Sequence, residues 1–256
     1  VNVTSIVPVF YREPRLAETL TDVAALRDRL QLELLVVVDV PDPAREAEAR
    51  AENDPAVREA GGTALYRVGR RGFGSALRDG FGRAGGDAVI PIMGDCSDRI
   101  ADIPVMVHVM ERDGWDVVAG SRYMKGGRVV GMTTKQRLSH AYSLLIRAAG
   151  GPEIHDVSNA FKLYRRSVIE SVATVADSFD ISVELTVKAA AAGFRVGEIP
   201  TVWRNREEGR SHFDYAREVR NYRRWLAFVA KSRRRPRLTG APGSAAAGAG
   251  TTGGER

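Results

Sequence analysis

Cysteine is almost missing from this chain. Of 256 residues only Cys96 carries a thiol, which excludes an internal disulfide and any metal site built on several cysteines, and agrees with a reducing compartment. Long apolar runs are missing too. None approaches the roughly 18–20 residues that cross a bilayer, and the N-terminus lacks the charged, apolar and small-residue succession of a signal peptide. The expected location is the cytoplasm. Two phosphate-loop signatures are also absent: "RRGFGSALRDGFG" has neither the Lys-Ser or Lys-Thr ending of a P-loop nor the G-x-G-x-x-G spacing of dinucleotide folds. Its glycines are read as close packing of backbone against a helix. No internal repeat is visible.

What is present is globular: 44% apolar and 27% charged residues, enough to bury a sizeable core. Val- and Ile-rich runs such as "VNVTSIVPVF", "LELLVVVDV", "TALYRV", "DAVIPIM" and "WDVVAGS" read as buried strands. Between them lie helical patterns, "RLAETLTDVAALRDRL", "GSALRDGFGRA" and "IADIPVMVHVMERD". This alternation predicts an α/β fold with a mainly parallel sheet flanked by helices. Further on, "TTKQRLSHAYSLLIRAAGG" and "ISVELTVKAAAAGF" read as helices, "AFKLYRR" as a strand turning into a helix, and "RVGEIPTVW" as one more strand.

The formal charge of +6 is unevenly placed. Residues 214–237 hold nine basic and two acidic side chains, so the rest of the chain is close to neutral. In this segment Tyr215, Val219, Tyr222, Leu226 and Val229 recur at helical spacing among arginines. That pattern predicts a basic amphipathic helix lying on an anionic membrane surface, with a helix packed on the domain as the plainer reading. Residues 238–256, nearly all Gly, Ala, Ser and Thr, have little to bury and are expected to be disordered. Nucleic acid is not an expected partner, because only this one segment is basic.

In parallel sheets ligands collect at the carboxyl ends of strands. Those positions here hold Pro8, Tyr11 and Glu13; Asp39; Asp95 and Asp98; and Ser121 with Arg122. Carboxylates grouped with an arginine suit a phosphate-bearing nucleotide together with Mg2+ or Mn2+, hard cations often held by one or two carboxylates plus substrate phosphates.

Seven segments stand in an order that resembles glycosyltransferase family 2: "SIVPVFYREP", "LLVVVDVPDP", "GFGSALRDGFGRAGGDAVIPIMGDCSDRIADIP", "DVVAGSRYMKGG", "HDVSNAFKLYRRSVIESV", "VELTVKAAAAGFRVGEIPTVW" and "RNREEGRSHF". The nearest branch is similar to dolichol-phosphate mannose synthases and bacterial polyprenyl-phosphate glycosyltransferases. The resemblance implies a glycosyltransferase-A fold over residues 1–213 and inverting transfer from a nucleotide sugar, of GDP-mannose or UDP-hexose type, to a polyprenyl phosphate. It implies that Pro8, Tyr11, Glu13 and Asp39 line the base and ribose pocket and that Asp95 is a metal ligand. It further implies that Arg122, Arg137, Arg206 and Ser211 gather phosphate oxygens, and that Asp156 stands near the reacting centre. Met93 replaces the first aspartate of the family's D-x-D motif, so either Asp98 supplies the second carboxylate or the metal is held chiefly by Asp95 and the diphosphate. Val40 and Pro41 stand where the family has D-G, and Asn159 replaces a glycine, which leaves the nucleotide open. Met93 and Val40 keep a non-catalytic nucleotide-sugar binding protein as one alternative; a family 2 enzyme with a soluble acceptor is the other. A phosphate acceptor needs no strong base, because its second pKa is about 6; a sugar hydroxyl needs one, and Asp156 is then the candidate.

Overall fold

The computed structural model describes residues 1–205 and 215–233, with the side chains of residues 215–219 left aside. Arg206, Ser211 and the 238–256 tail lie outside the described residues.

Nine strands and eight α-helices are found among the described residues. The strands are β1 (Val3–Phe10), β2 (Leu32–Val40), β3 (Thr63–Val68), β4 (Ala88–Pro91), β5 (Val117–Ser121), β6 (Arg128–Val130), β7 (Lys162–Arg165), β8 (Val196–Pro200) and β9 (Val202–Arg204). Seven of them form one sheet in the order β3-β2-β1-β4-β7-β5-β8. All neighbours are parallel except β7, which runs antiparallel to both β4 and β5.

Alternation along the strands feeds two cores. Val3, Val7 and Val9 of β1, with Leu34, Val36 and Val38 of β2, pack on α1 (Leu16–Ala24), α2 (Glu46–Glu59) and α4 (Ile103–Asp113). Ile6, Leu35, Val37 and Val89 face the opposite side. They meet α3 (Phe73–Phe81), α5 (Thr134–Ala148), α7 (Ile181–Ala191) and α8 (Tyr215–Ser232). The short α6 (Arg166–Ser171) follows β7. The glycines of the 71–82 stretch serve contact: a Cβ on Gly74 would stand 2.2 Å from the Ala176 carbonyl oxygen, and one on Gly80 would stand 2.8 Å from Ile6.

Two sequence readings change. "RVGEIPTVW" is two strands, since the chain leaves the main sheet at Thr201, whose Oγ1 donates to Asp102 Oδ2 at 2.7 Å, and β9 then pairs with β6. The second change concerns α8. From Tyr222 onward its apolar stripe, expected to meet a membrane, is its packing face: Trp225 and Val229 are buried in the second core, with Tyr222 and Leu226 packed against it. Trp225 Nε1 and Arg224 Nη2 both donate to the fully buried Asp180 Oδ2, at 2.7 and 2.6 Å. Tyr142 of α5 donates to the Tyr222 carbonyl at 2.9 Å. Among the described residues no helix is long and apolar enough to cross a membrane.

Candidate active site

β1 and β4 part company at their carboxyl ends. Their pairing stops at Ile6 and Pro91, with a last bond from Ile92 N–H to Ile6 O at 2.9 Å, while β1 and β2 stay paired to Phe10 and Asp39. Strand order reverses here, β2 lying on one side of β1 and β4 on the other. A crevice at such a reversal is the usual ligand site of an open α/β sheet. Pro8 stands half-buried on this wall. Because the Ile6 carbonyl faces β4, the N–H that proline lacks would face the same side, where no ladder remains to receive it.

Both loops that close the crevice carry a non-glycine residue in the left-handed region, Tyr11 with φ 62° and Cys96 with φ 57°. Such conformations cost of order 1–3 kcal/mol and persist where the surroundings hold them. Tyr11 is held from both sides: its N–H donates to the Asp39 carbonyl at 2.8 Å, and its carbonyl accepts from Asn53 Nδ2 at 2.9 Å. Cys96 is held by Thr19, whose hydroxyl accepts from Cys96 N–H at 3.2 Å and donates to the Gly94 carbonyl at 2.9 Å. Glu13, half-buried, begins the turn into α1, with its carbonyl accepting from Leu16 N–H at 3.0 Å.

Asp39 sits at the end of β2, in register with Arg67 of β3. Its Oδ2 accepts from Gly72 N–H at 2.8 Å, and Oδ1 lies 3.0 Å from Arg67 Nη1. Arg67 also stands 3.0 Å from Asp79 and donates to Ser75 Oγ at 2.7 Å. Burial pushes the Asp39 carboxyl above its ordinary pKa, and Arg67 works against that rise.

The loop after β4 gathers the two carboxylates. Asp95 Oδ1 accepts from Ser97 N–H at 3.1 Å, an Asx turn. Asp98 Oδ2 accepts from Met93 N–H at 2.9 Å. Burial raises the Asp98 pKa to about 7, the Met93 N–H opposes the rise and the charge of Asp95 adds to it. Ser97 Oγ, between them in sequence, is buried with no hydrogen-bond partner among the described residues. A buried carboxylate whose proton affinity a neighbouring carboxylate raises, beside an orphaned hydroxyl, fits a hard cation that takes its remaining ligands from a substrate diphosphate. No cluster of three or more His, Cys, Asp or Glu residues suited to a metal occurs among the described residues, which offer only part of a coordination shell.

Arg122 follows β5 and is bound to Asp156 through three donors. Its backbone N–H, Nε and Nη2 reach the carboxylate at 3.1, 2.6 and 2.9 Å. Nη2 also contacts Ser139 and Ser158 at 3.2 and 3.0 Å. Burial disfavours both charges, but each partner stabilises the other, so the Arg122 pKa rises and that of Asp156 falls below the usual carboxylate range. Asp156 is wholly buried, and it accepts further bonds from Ser158 Oγ and Asn159 N–H at 3.2 and 3.1 Å. Arg137 lies on the exposed face of α5. Sequence reasoning passed over Asn53, Arg67 and Ser139, which hold Tyr11, Asp39 and Arg122 in place, and Lys162, which bonds the turn after Asp156.

The sequence profile described as "Glycosyl transferase family 2" matches residues 4–173. The chain belongs to this family. This family 2 glycosyltransferase is 28% identical over 237 residues to an undecaprenyl-phosphate mannosyltransferase of Micrococcus luteus, covering 88% of the chain and 93% of that protein. It is 25% identical over 234 residues to a dolichol-phosphate mannosyltransferase of Pyrococcus furiosus, covering 88% of the chain but only 64% of that longer relative. Glucosyl-3-phosphoglycerate synthase of Mycobacterium tuberculosis, solved with Mn2+, UDP and glucosyl-3-phosphoglycerate, superposes with a TM-score of 0.64 at 14% identity, over 90% of the chain and 79% of that structure. The family 2 enzyme thus has the glycosyltransferase-A fold, a mostly parallel sheet flanked by helices.

Proposed function

We propose that this family 2 glycosyltransferase moves a sugar, with inversion, from a nucleotide sugar of GDP-mannose or UDP-hexose type to a polyprenyl phosphate. The observation that carries the reading is the commitment of Asp156 to Arg122. The carboxylate offered by the sequence as a base for a hydroxyl acceptor is buried, saturated with hydrogen bonds and depressed in pKa. It positions Arg122 instead. An acceptor phosphate, already ionised near neutral pH, has no need of that base. The relatives whose names specify polyprenyl-phosphate mannosyl transfer support the same choice.

In this reading Pro8, Tyr11, Glu13 and Asp39 form the donor wall, and Asp95 with Asp98 hold Mg2+ or Mn2+, which when bound offsets the charge of the leaving diphosphate. Arg122 orients the acceptor phosphate, and Arg137 meets it from the exposed face of α5; Arg206 and Ser211 are assigned phosphate contacts from sequence alone. Incubation with a panel of nucleotide sugars, manganese, a short polyprenyl phosphate and soluble sugars tests the proposal. A glycolipid product with inverted anomeric configuration is expected. Transfer to soluble sugars alone, or tight nucleotide binding without turnover, would replace it with the corresponding alternative.

Membrane contact, in the same proposal, passes to α5. Leu138, Leu144 and Leu145 are each at least half exposed, as is Met132 just before the helix, and exposed Arg137 and Arg147 stand among them. Apolar side chains ringed by cations suit an anionic bilayer surface. Leu138→Glu with Leu145→Glu should abolish sedimentation with anionic vesicles; unchanged binding would remove α5 from this role.

A further inference from the structure

One buried charge plays no part in the reading above. Lys162, the first residue of β7, is completely buried. Its Nζ donates to the Val157 carbonyl at 3.0 Å and to the Asn159 carbonyl. Both carbonyls belong to the turn that presents Asp156 and Ser158 to Arg122, and Asn159 Nδ2 ties that turn to the Gly120 carbonyl at 2.8 Å. The lysine therefore braces the acceptor half from beneath.

Charge gives the brace a second effect. Arg122 and Asp156 neutralise each other at close range, so together they present little net charge to an arriving anion. We propose that Lys162 is the positioning residue that makes this pocket net positive: its ammonium sets the 156–159 turn and supplies the charge that Asp156 removes from Arg122. The inference rests on the polyprenyl-phosphate reading and assigns that site its electrostatic source.

Three charged groups act on Lys162. Asp156 in the turn and Glu198 on β8 favour its ammonium, while Arg122 after β5 opposes it. Burial outweighs them and lowers its pKa to about 7. A phosphate bound at Arg122 adds negative charge on the same side as Asp156 and draws a proton onto Lys162. Phosphate affinity and proton uptake are then linked, and affinity weakens as pH rises through the lysine's titration.

Calorimetric titration of the full chain with farnesyl phosphate tests this between pH 7 and 9, where the ligand has largely completed its own ionisation, its second pKa being about 6. Farnesol serves as the phosphate-free control. Wild type should bind about tenfold more weakly at pH 9 than at pH 7, with buffer-dependent heats that report proton uptake. Lys162→Met should bind weakly with no pH dependence. Lys162→Arg, whose guanidinium stays charged, should bind without pH dependence at near the pH 7 strength. A flat profile in wild type, or the wild-type profile surviving in either variant, overturns the proposal, and the wild-type arm decides even where a variant fails to fold. Wild type that ignores farnesyl phosphate, or binds farnesol as well, overturns the polyprenyl-phosphate reading and the inference with it, a result distinct from a flat profile.

Discussion

The two halves of the crevice hold their charges in opposite ways. On the β1-β2-β3 side, Asp39 and Arg67 come from neighbouring parallel strands, Arg70 and Asp79 from the loop and helix that follow, and these two carboxylates and two guanidinium groups compensate locally. On the β5-β7 side, Arg122, Asp156 and Lys162 come from a strand end, a loop and an antiparallel insertion, and they leave one cation in excess when the lysine is protonated. In the proposed reading the first wall meets base and ribose and has little need of net charge, whereas the second gathers phosphate and keeps the surplus.

The comparison breaks most sharply at Arg122. Arg122→Lys keeps the charge but loses the planar fork, and transfer should fall by about 10²-fold while donor binding, followed by nucleotide fluorescence, is unchanged. An equal loss of donor affinity would merge the two halves into one. Asp95→Ala should be next in effect, abolishing the manganese dependence of donor hydrolysis, with Asp98→Ala weakening the apparent metal affinity by a smaller factor. The opposite ranking would move the principal ligand to Asp98. Asp180→Ala should cost about 3 kcal/mol in denaturant unfolding, because Arg224 and Trp225 lose a buried acceptor.

The smallest expected effect concerns pH. Lys162 gives up its proton near pH 7 when folded but only near its ordinary value when unfolded. Above pH 7 the unfolded chain therefore binds more protons, and wild-type stability should rise relative to Lys162→Met by up to about 1.4 kcal/mol per pH unit. Between pH 5 and 6, where both states are protonated, the difference should stay constant.

What the sequence discloses depends on how each feature arises. β1, β2 and β5 announce themselves as Val- and Ile-rich runs because both faces are covered. α2 does not, since only Ala49, Asn53 and Val57 along its length are buried and the rest is charged. The break at Thr201 is equally silent, because it is set by a hydroxyl meeting Asp102, a residue 99 positions away. In the site, Asp95, Asp98 and Arg122 stand out as polar residues that end apolar strands. That Asp156 is saturated could not be read, since its partner lies 34 positions earlier in the chain. Lys162 is hidden for the same reason: in "NAFKLYRR" it looks like one of several surface cations, and only the antiparallel placement of β7 buries it. The apolar stripe of α8 was legible as a stripe, but periodicity does not say whether lipid or protein covers it.

Tyr11 and Cys96 have one more implication. Each holds a loop of the crevice in a conformation the chain disfavours, and each is fastened by a buried side chain from a neighbouring helix, Asn53 or Thr19. If these loops face the donor, as proposed, its mould is set as the chain folds, and little binding energy goes into ordering them at each turnover.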